Sequence, residues 1–269
     1  MNIPGSKMYY YAHTGHRIGL DRFRRAVAIL NELDADITLL TSDFRIAQIG
    51  LNFGIEKSVG LDVVRNIPQI ALAGDQLIFD SDEANPIMLE DMKEYFSTLI
   101  ELKNDTVAVH RKFFVTYEKS VKISYFFGDD DYEKDLETNF EFIDGLDIHL
   151  QLGFYYFLDY EDMLRKKFTN CFDFEEYDEM IQKTDILITC SPQAVLESLA
   201  SGGRPIYFQR EDYTQDMNTY FKSLNIPIIE NYDKNHLSVI LKTINDIKYV
   251  KITHKENKII EFIKENLAL

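Results

Sequence analysis

The first turn of the chain holds side chains that suit proton transfer and anion binding. His13, Gly15, His16 and Arg17 follow a strand-like run of tyrosines, and Arg22 lies in the helix predicted after them. Glycine lets a ligand approach the backbone closely, and arginine binds a diphosphate or carboxylate through paired hydrogen bonds. A histidine can act as a general base because its pKa lies near neutrality. These residues therefore predict a site for an anionic substrate whose reaction needs a base.

Structural roles stay open for part of this segment. The arginines could lie on a solvated helix face and pair with nearby carboxylates. We expect function at His16 and Arg17, leave both interpretations open for Arg22, and expect structural or surface roles for Arg24 and Arg25. The glycine spacing differs from GxGxxG and gives no support for a dinucleotide site.

A second candidate site lies where a strand-like run meets a capped helix. Residues 184–208, TDILITCSPQAVLESLASGGRPIYF, predict strand, turn, helix, turn and strand. Ser191 suits the N-cap and Pro192 the first helical position. The amides of Gln193 and Ala194 would then point at a ligand, and a helix N-terminus favours the binding of phosphate. On these residues alone, a purely structural βαβ unit is the favoured interpretation.

Polar residues further along could complete a sugar-nucleotide site. Glu197 could accept hydrogen bonds from ribose hydroxyls if it faces the ligand; the alternative is an exposed glutamate. The loop after the next strand carries Arg210, Asp212, Gln215 and Asn218, which could grip a sugar or form an ordinary polar loop.

Acidic residues follow two predicted strands. Gly128 precedes Asp129, Asp130 and Asp131, whose oxygens could bind a divalent cation. Helix capping is the favoured interpretation, and no metal is predicted, because a metal site would require two acidic clusters to converge. The second such cluster comprises Asp80, Asp82 and Glu83.

Composition excludes several classes of protein. The net charge of −16 argues against nucleic acid and anionic lipid as main partners. The 45% hydrophobic content allows a packed core, and two cysteines without a Cys/His cluster suit a reducing compartment and give no zinc signal. Without a leader-like N-terminus or an apolar run long enough to span a bilayer, we expect a soluble, cytoplasmic protein.

Strand-like and helix-like segments alternate along both halves, which predicts an α/β fold. We place the domain boundary near 111–120, giving domains at 1–115 and 116–269, with the last helix a candidate to cross back onto the first domain. Strands are predicted at 8–12, 36–40, 59–64, 76–80, 121–127, 148–152, 171–174, 186–189, 205–208 and 227–230. Helices are predicted at 20–33, 45–53, 86–102, 131–143, 160–168, 177–182, 237–245 and 255–266, and around Glu197. Residues 106–115 are predicted to be extended.

Two segments together resemble the GT-B family of nucleotide-sugar enzymes. YYYAHTGHRIGLDRFRRAVAILNEL is similar to the family's first strand, glycine-rich turn and helix, and DILITCSPQAVLESLASGGRPIYF with REDYTQDMN is similar to its nucleotide-sugar signature. The two segments also resemble the peptidoglycan N-acetylglucosaminyltransferases and the UDP-sugar hydrolases of pseudaminic acid synthesis. The resemblance places the diphosphate at Ser191–Ala194, the ribose at Glu197 and the sugar at Asp212 and Gln215. Gly128 and Asp129 stand where the family has a glycine-rich loop, and the hydrolase's catalytic histidine falls on Arg22 or His16.

The resemblance implies two Rossmann-like domains facing across a cleft, and transfer of a sugar from a nucleotide-diphosphate sugar, with a UDP-sugar favoured. His16 or His13 would be the base, and Arg17 or Arg22 would stabilise the departing diphosphate. No cofactor is expected. Two alternatives stay open: hydrolysis of the nucleotide sugar, and a non-catalytic binding protein of the same fold.

Overall fold

A computed structural model describes residues 6–254, 258–267 and 269 of the chain. The chain divides into two compact units. The first unit takes Met1–His110 and Asn257–Leu269, and the second takes Arg111–Glu256. The start of the last predicted helix, at 255–257, lies outside the described residues, as do residues 1–5.

The first unit is built on a five-stranded parallel sheet with the order β3-β2-β1-β4-β5. Its central strand carries three consecutive buried tyrosines, as expected for a parallel strand that is covered on both faces. The strands are β1 (Met8–Ala12), β2 (Ile37–Thr41), β3 (Ser58–Gly60), β4 (Gln76–Asp80) and β5 (Thr98–Glu101). The helices are α1 (Asp21–Leu30), α2 (Phe44–Ile49), α3 (Pro86–Tyr95) and α10 (Lys258–Leu267), with 3-10 turns at Gly50–Phe53 and Val64–Gln69.

The second unit repeats the plan with six parallel strands in the order β11-β10-β9-β6-β7-β8. The strands are β6 (Val121–Phe126), β7 (His149–Gln151), β8 (Asn170–Phe172), β9 (Thr184–Thr189), β10 (Arg204–Gln209) and β11 (Ile228–Glu230). The helices are α4 (Asp135–Thr138), α5 (Leu158–Lys167), α6 (Tyr177–Lys183), α7 (Pro192–Ala200), α8 (Asn218–Ser223) and α9 (Lys234–Thr243). The fold class predicted from the sequence is therefore confirmed: an α/β chain with two Rossmann-like halves.

Several predicted elements are wrong in detail. The helix predicted over 86–102 ends at Tyr95, and residues 98–101 form β5, because Ile100 is buried beside Ile78 of β4 rather than on a helix face. Residues 106–115 hold no strand and end in a 3-10 turn at Arg111–Phe114. The helix predicted over 131–143 is reduced to α4 and a 3-10 turn at Phe140–Phe142, and α8 was not predicted.

Each sheet has one point at which the winding of the chain reverses. In the first unit, β1 is flanked by β2 on one side and β4 on the other; in the second, β6 is flanked by β7 and β9. Loops after such neighbouring strands diverge and leave a crevice at the carboxyl edge, which is where open α/β sheets bind ligands. The candidate ligand-binding loops are therefore those after β1 and β4 in the first unit and those after β6 and β9 in the second.

No helix among the described residues combines the length and the apolar character needed to cross a membrane.

Candidate functional site

The loop after β1 folds back on itself at two glycines. The carbonyl of Gly15 accepts hydrogen bonds from the amides of Ile18 and Gly19, at 3.1 and 2.9 Å. Gly19 and Arg17 both adopt positive φ, at +75° and +66°. A left-handed arginine is uncommon, and such strain is concentrated at functional loops. The tight turn leaves His16 and Arg17 exposed.

His13 lies at the base of this loop and meets two carboxylates from the loop after β4. Its Nδ1 is 3.1 Å from Asp82 Oδ1, and its Nε2 is 3.7 Å from Glu83 Oε2. The hydrogen bond with His13 is the main reason that the pKa of Asp82 lies well below its usual value. The His13 side chain is 16% exposed, so it is held by its neighbours and still open to a ligand.

Arg22 completes this group, which we call the histidine cluster (His13, Arg22, Asp82 and Glu83). Its guanidinium contacts Asp82 Oδ2 at 3.2 Å and donates to Asn104 Oδ1 at 3.0 Å. The Nη1 atom of Arg22 is also 3.5 Å from His13 Nδ1. Arg22 therefore holds Asp82 beside the imidazole, and its observed partners are protein groups.

The acidic residues after β4 are separated by their partners. Asp80 is buried and receives hydrogen bonds from Tyr10 Oη at 2.8 Å and from Arg25 Nε at 2.9 Å. Glu83 accepts from Tyr11 Oη at 2.5 Å. Arg25 is therefore structural, as expected, and the carboxylate of Asp80 is committed to the core of the first unit.

In the second unit, α7 begins with the predicted cap. Ser191 Oγ accepts the amide of Ala194 at 3.0 Å, and the Ser191 amide donates to Thr189 Oγ1 at 3.0 Å. Pro192 takes the first helical position. The capping prediction is confirmed, but the expectation that the amide of Ala194 is open to a ligand is wrong, because the cap uses it.

Glu197 is enclosed within the second unit. It is 1% exposed, and its carboxylate accepts from Gln193 Nε2 at 2.9 Å and from Tyr177 Oη at 2.6 Å. The alternative of an exposed surface glutamate is therefore wrong. Each carboxylate oxygen can accept more than one hydrogen bond. These two partners therefore orient the carboxylate and leave it able to accept further hydrogen bonds.

The loop after β6 packs directly against the loop after β7. Gly128 has φ +125°, and the Tyr155 amide donates to the carbonyl of Asp129 at 2.8 Å. A Cβ placed on Gly153 would lie 2.6 Å from the Gly128 carbonyl oxygen and 2.7 Å from that of Asp129. Only glycine at position 153 permits this backbone contact.

One residue of the acidic run, Asp131, binds the first amides of α4, whose N-cap position is Lys134. Asp131 accepts the amides of Asp135 at 2.7 Å and Leu136 at 3.1 Å, and it also accepts from Tyr160 Oη. Burial raises the pKa of Asp131. Among the described residues, no group of three His, Cys, Asp or Glu side chains could hold a metal ion.

The loop after β10 is held by Arg210. Its guanidinium donates to Asp212 at 2.8 and 2.6 Å and to the Asp130 carbonyl at 2.9 Å, and it stacks on Phe127 with 4.4 Å to the ring centroid. Arg210 is buried, so it ties this loop to the loop after β6. Gln215 is exposed in the same loop.

The sequence did not identify the supporting partners of these groups. The sequence predicts only a candidate metal-ligand role for Asp82, and it assigns no role in a site to Asn104, Tyr177 or Gly153. Each of them reaches its partner through strand order or loop packing. No local signal marks such contacts, except that Asp82 and Gly153 both follow predicted strands.

Known proteins with the same architecture carry very different sequences. No protein-family model matches the chain, and no curated protein is similar to it in sequence. A UDP-GlcNAc 2-epimerase of Methanocaldococcus jannaschii, solved with UDP-GlcNAc and UDP, has a TM-score of 0.55 and 10% identity over 96% of this chain and 100% of that chain. The E. coli heptosyltransferase WaaC, solved with ADP, has a TM-score of 0.49 and 9% identity over 90% of this chain and 99% of that chain. The glycosyltransferase SnogD of Streptomyces nogalater has a TM-score of 0.48 and 10% identity over 90% of this chain and 96% of that chain.

Identity near 10% carries information about fold alone. Both the epimerase match, which spans nearly the whole chain, and the two parallel sheets with their reversal points agree on one architecture. The protein therefore has a GT-B-like fold of two Rossmann-like halves.

Proposed function

We propose that the protein transfers a sugar from a nucleotide-diphosphate sugar to an acceptor hydroxyl, with inversion at the anomeric carbon. The fold supports the binding of a nucleotide sugar, because a protein of the same fold has been solved with UDP-GlcNAc and UDP. A UDP-sugar is the favoured donor. The first unit would bind the acceptor and the second the donor, with the boundary between these roles near residue 111.

The contact between His13 and Asp82 is the observation that carries the proposal. In the tautomer with the proton on His13 Nδ1, donated to Asp82 Oδ1 across 3.1 Å, the Nε2 lone pair is the base. Glu83 Oε2, at 3.7 Å, lies beyond hydrogen-bond distance of Nε2. Nε2 would take the proton from the acceptor hydroxyl as its oxygen attacks the anomeric carbon and the diphosphate departs. The negative charge of Asp82 would stabilise the imidazolium that forms. His13 is the leading candidate base because its Nδ1 lies 3.1 Å from Asp82 Oδ1, and His16 is the second candidate.

The second unit would hold the donor. The N-terminus of α7 at Ser191 and Gln193 attracts the negative charge that develops on the leaving diphosphate. Glu197, oriented by Tyr177 and Gln193, would accept from the ribose. Further roles follow the resemblance: Gly15, Arg17, Gly128 and Asp129 would lie near the phosphates or the acceptor, and Arg210, Asp212 and Gln215 would lie near the sugar.

The first experiment identifies the donor. A specific ligand stabilises the folded state by mass action, so we expect one class among UDP-, GDP-, dTDP- and CMP-sugars to raise Tm. The absence of any shift at millimolar concentration, about 100-fold above typical affinities for such donors, would contradict the proposal and favour a non-catalytic binding protein.

The second experiment tests the base. Release of nucleotide diphosphate from the identified donor is measured for the wild-type protein, His13→Gln and His16→Gln. Removing a general base lowers kcat by about 100-fold or more, and this loss is expected for His13→Gln alone. Equal rates for His13→Gln and the wild type would overturn the assignment. Free sugar formed without any acceptor would identify a hydrolase, in which water replaces the acceptor hydroxyl.

A further inference from the structure

An apolar groove runs along α3 of the first unit. It has a volume of about 440 Å³ and lies between α3 and the 3-10 turn at Val64–Gln69. Its walls are largely apolar and include Ile67, Met88, Met92 and Phe96. None of the residues that line this groove belongs to the histidine cluster, although Asn85 follows Glu83 by two residues.

The helix beside the groove leaves part of its apolar surface uncovered. Of the ten residues of α3, Met92 alone is buried. Ile87 is 75% exposed, which is unusual for an isoleucine, and it lies on the groove. Met88, Leu89 and Tyr95 are partly buried against the core of the unit, so the apolar surface that α3 leaves uncovered is centred on Ile87. Methionine side chains adapt readily to a packing partner.

The rim of the groove carries one charge of each sign. Arg65 lies on the 3-10 turn and Asp91 on α3, one helical turn beyond Ile87. Both are exposed. In the described part of the chain, neither side chain makes an ion pair or a hydrogen bond. The groove therefore presents an apolar floor, a protruding isoleucine, an unpaired cation and an unpaired anion.

We propose that this face binds a second copy of the same chain across a two-fold axis. A two-fold interface uses the same patch on both subunits, so the patch must complement itself. The α3 groove does so: Ile87 of each copy would enter the groove of the other, and Arg65 of each would pair with Asp91 of the other. A purely anionic or purely cationic amphiphile would match only one of the two rim charges. The proposal does not depend on the proposed function.

Substitution of Ile87 tests the apolar contact. Molar mass is measured by sedimentation over about 1–100 μM protein, the range in which weak dimers dissociate. We expect a dimer for the wild type and a monomer for Ile87→Asp. The control is Val239→Asp, which changes another β-branched residue, 58% exposed on α9, and is expected to leave the dimer intact. A wild-type monomer throughout this range, with or without added amphiphile, would overturn the proposal, as would a dimer that Ile87→Asp leaves unchanged.

Charge reversal tests the symmetric pairing. Arg65→Asp alone and Asp91→Arg alone each place like charges together at two symmetry-related positions, so each should raise the dimer Kd by about tenfold or more. The double variant Arg65→Asp/Asp91→Arg recreates both pairs with reversed sign and should return Kd to within about threefold of the wild type. If the free-energy losses of dimerisation measured for the two single variants simply add in the double variant, the pairing is contradicted. Circular dichroism melts verify that every variant is folded.

Discussion

Asp80 lies beneath the histidine cluster, and its carboxylate is shared by Tyr10 and Arg25. The Asp80 side chain is 1% exposed, so its ion pair with Arg25 and its hydrogen bond with Tyr10 are both shielded from water. A buried ion pair adds little to stability as a whole, but removal of one partner leaves the other charge buried and unpaired. We therefore expect this pair to be sensitive to substitution.

We expect Asp80→Asn to lower the free energy of unfolding by about 3 kcal/mol or more, because Arg25 then loses its counter-charge. Urea unfolding monitored by circular dichroism measures the change. The matched control is Asp36→Asn, in which a 73%-exposed carboxylate loses Lys57 at 2.6 Å. This exposed pair should contribute less than about 1 kcal/mol. Equal losses for the two variants would show that Arg25 relaxes into water.

Lys119 gives a prediction for pH. Burial lowers its pKa to about 8, and its Nζ donates to the Gln182 carbonyl at 2.8 Å. In the unfolded chain a lysine keeps its proton up to about pH 10.4. Between pH 8 and that value the unfolded state binds more protons, so this group makes stability rise with pH. Because solvent screens this half-exposed site, we expect Lys119 to change the free energy of unfolding by about 1 kcal/mol.

The comparison is between the wild type and Lys119→Met, unfolded in urea at pH 7.5 and pH 10. All other titrating groups are shared, so the difference between the two proteins isolates Lys119. We expect the wild type to gain stability relative to the variant as the pH rises. A constant difference would mean that Lys119 titrates normally in the folded protein.

At the scale of elements, α7 shows how much local sequence can specify. Ser191, Pro192 and the glycines at 202 and 203 mark its two ends, and the helix occupies Pro192–Ala200 as these signals predict. We expect Ser191→Ala to lower the free energy of unfolding by about 1 kcal/mol, because the Ala194 amide loses its acceptor. Ser191→Gly should cost only a few tenths of a kcal/mol, because glycine is itself well tolerated at an N-cap.

Ser223→Ala is the control for this helix prediction. Ser223 is exposed near the end of α8, and its hydroxyl donates to the Tyr220 carbonyl of its own helix. Urea unfolding should place this variant within about 0.5 kcal/mol of the wild type. If Ser191→Ala falls in the same range, the cap contributes no more than an ordinary surface hydroxyl.

Other elements show why local patterns fail. Residues 86–102 carry a continuous helical pattern, but Asn85 and Pro86 fix only the start of α3. The helix ends early because Leu99 and Ile100 pair with Leu77 and Ile78 of β4. Pairing with a distant strand is a tertiary event, and it outweighs helical propensity when it completes the edge of a buried sheet.

At the scale of the whole molecule, the net charge of −16 governs the response to salt. The excess negative charges repel one another in the folded state, and this repulsion weakens as dissolved ions screen it. Raising NaCl from about 0.02 M to about 0.5 M, which shortens the Debye length from over 20 Å to about 4 Å, should raise Tm by a few degrees. Differential scanning calorimetry measures this shift, with KCl as the control for a specific sodium effect. A fall in Tm would mean that attractive ion pairs outweigh the net repulsion.

The residue pattern alone specified the alternation of strands and helices, the α/β class and the capped start of α7, because burial periodicity and capping act within a few residues. It also drew attention to His13, Arg22 and Glu197. Only the tertiary structure joined His13 to Asp82, 69 residues away, and enclosed Glu197 between Gln193 and Tyr177. The reason is physical: the order of strands in a sheet is decided by packing of the whole unit, and the side chains at its carboxyl edge become neighbours only after that order is set.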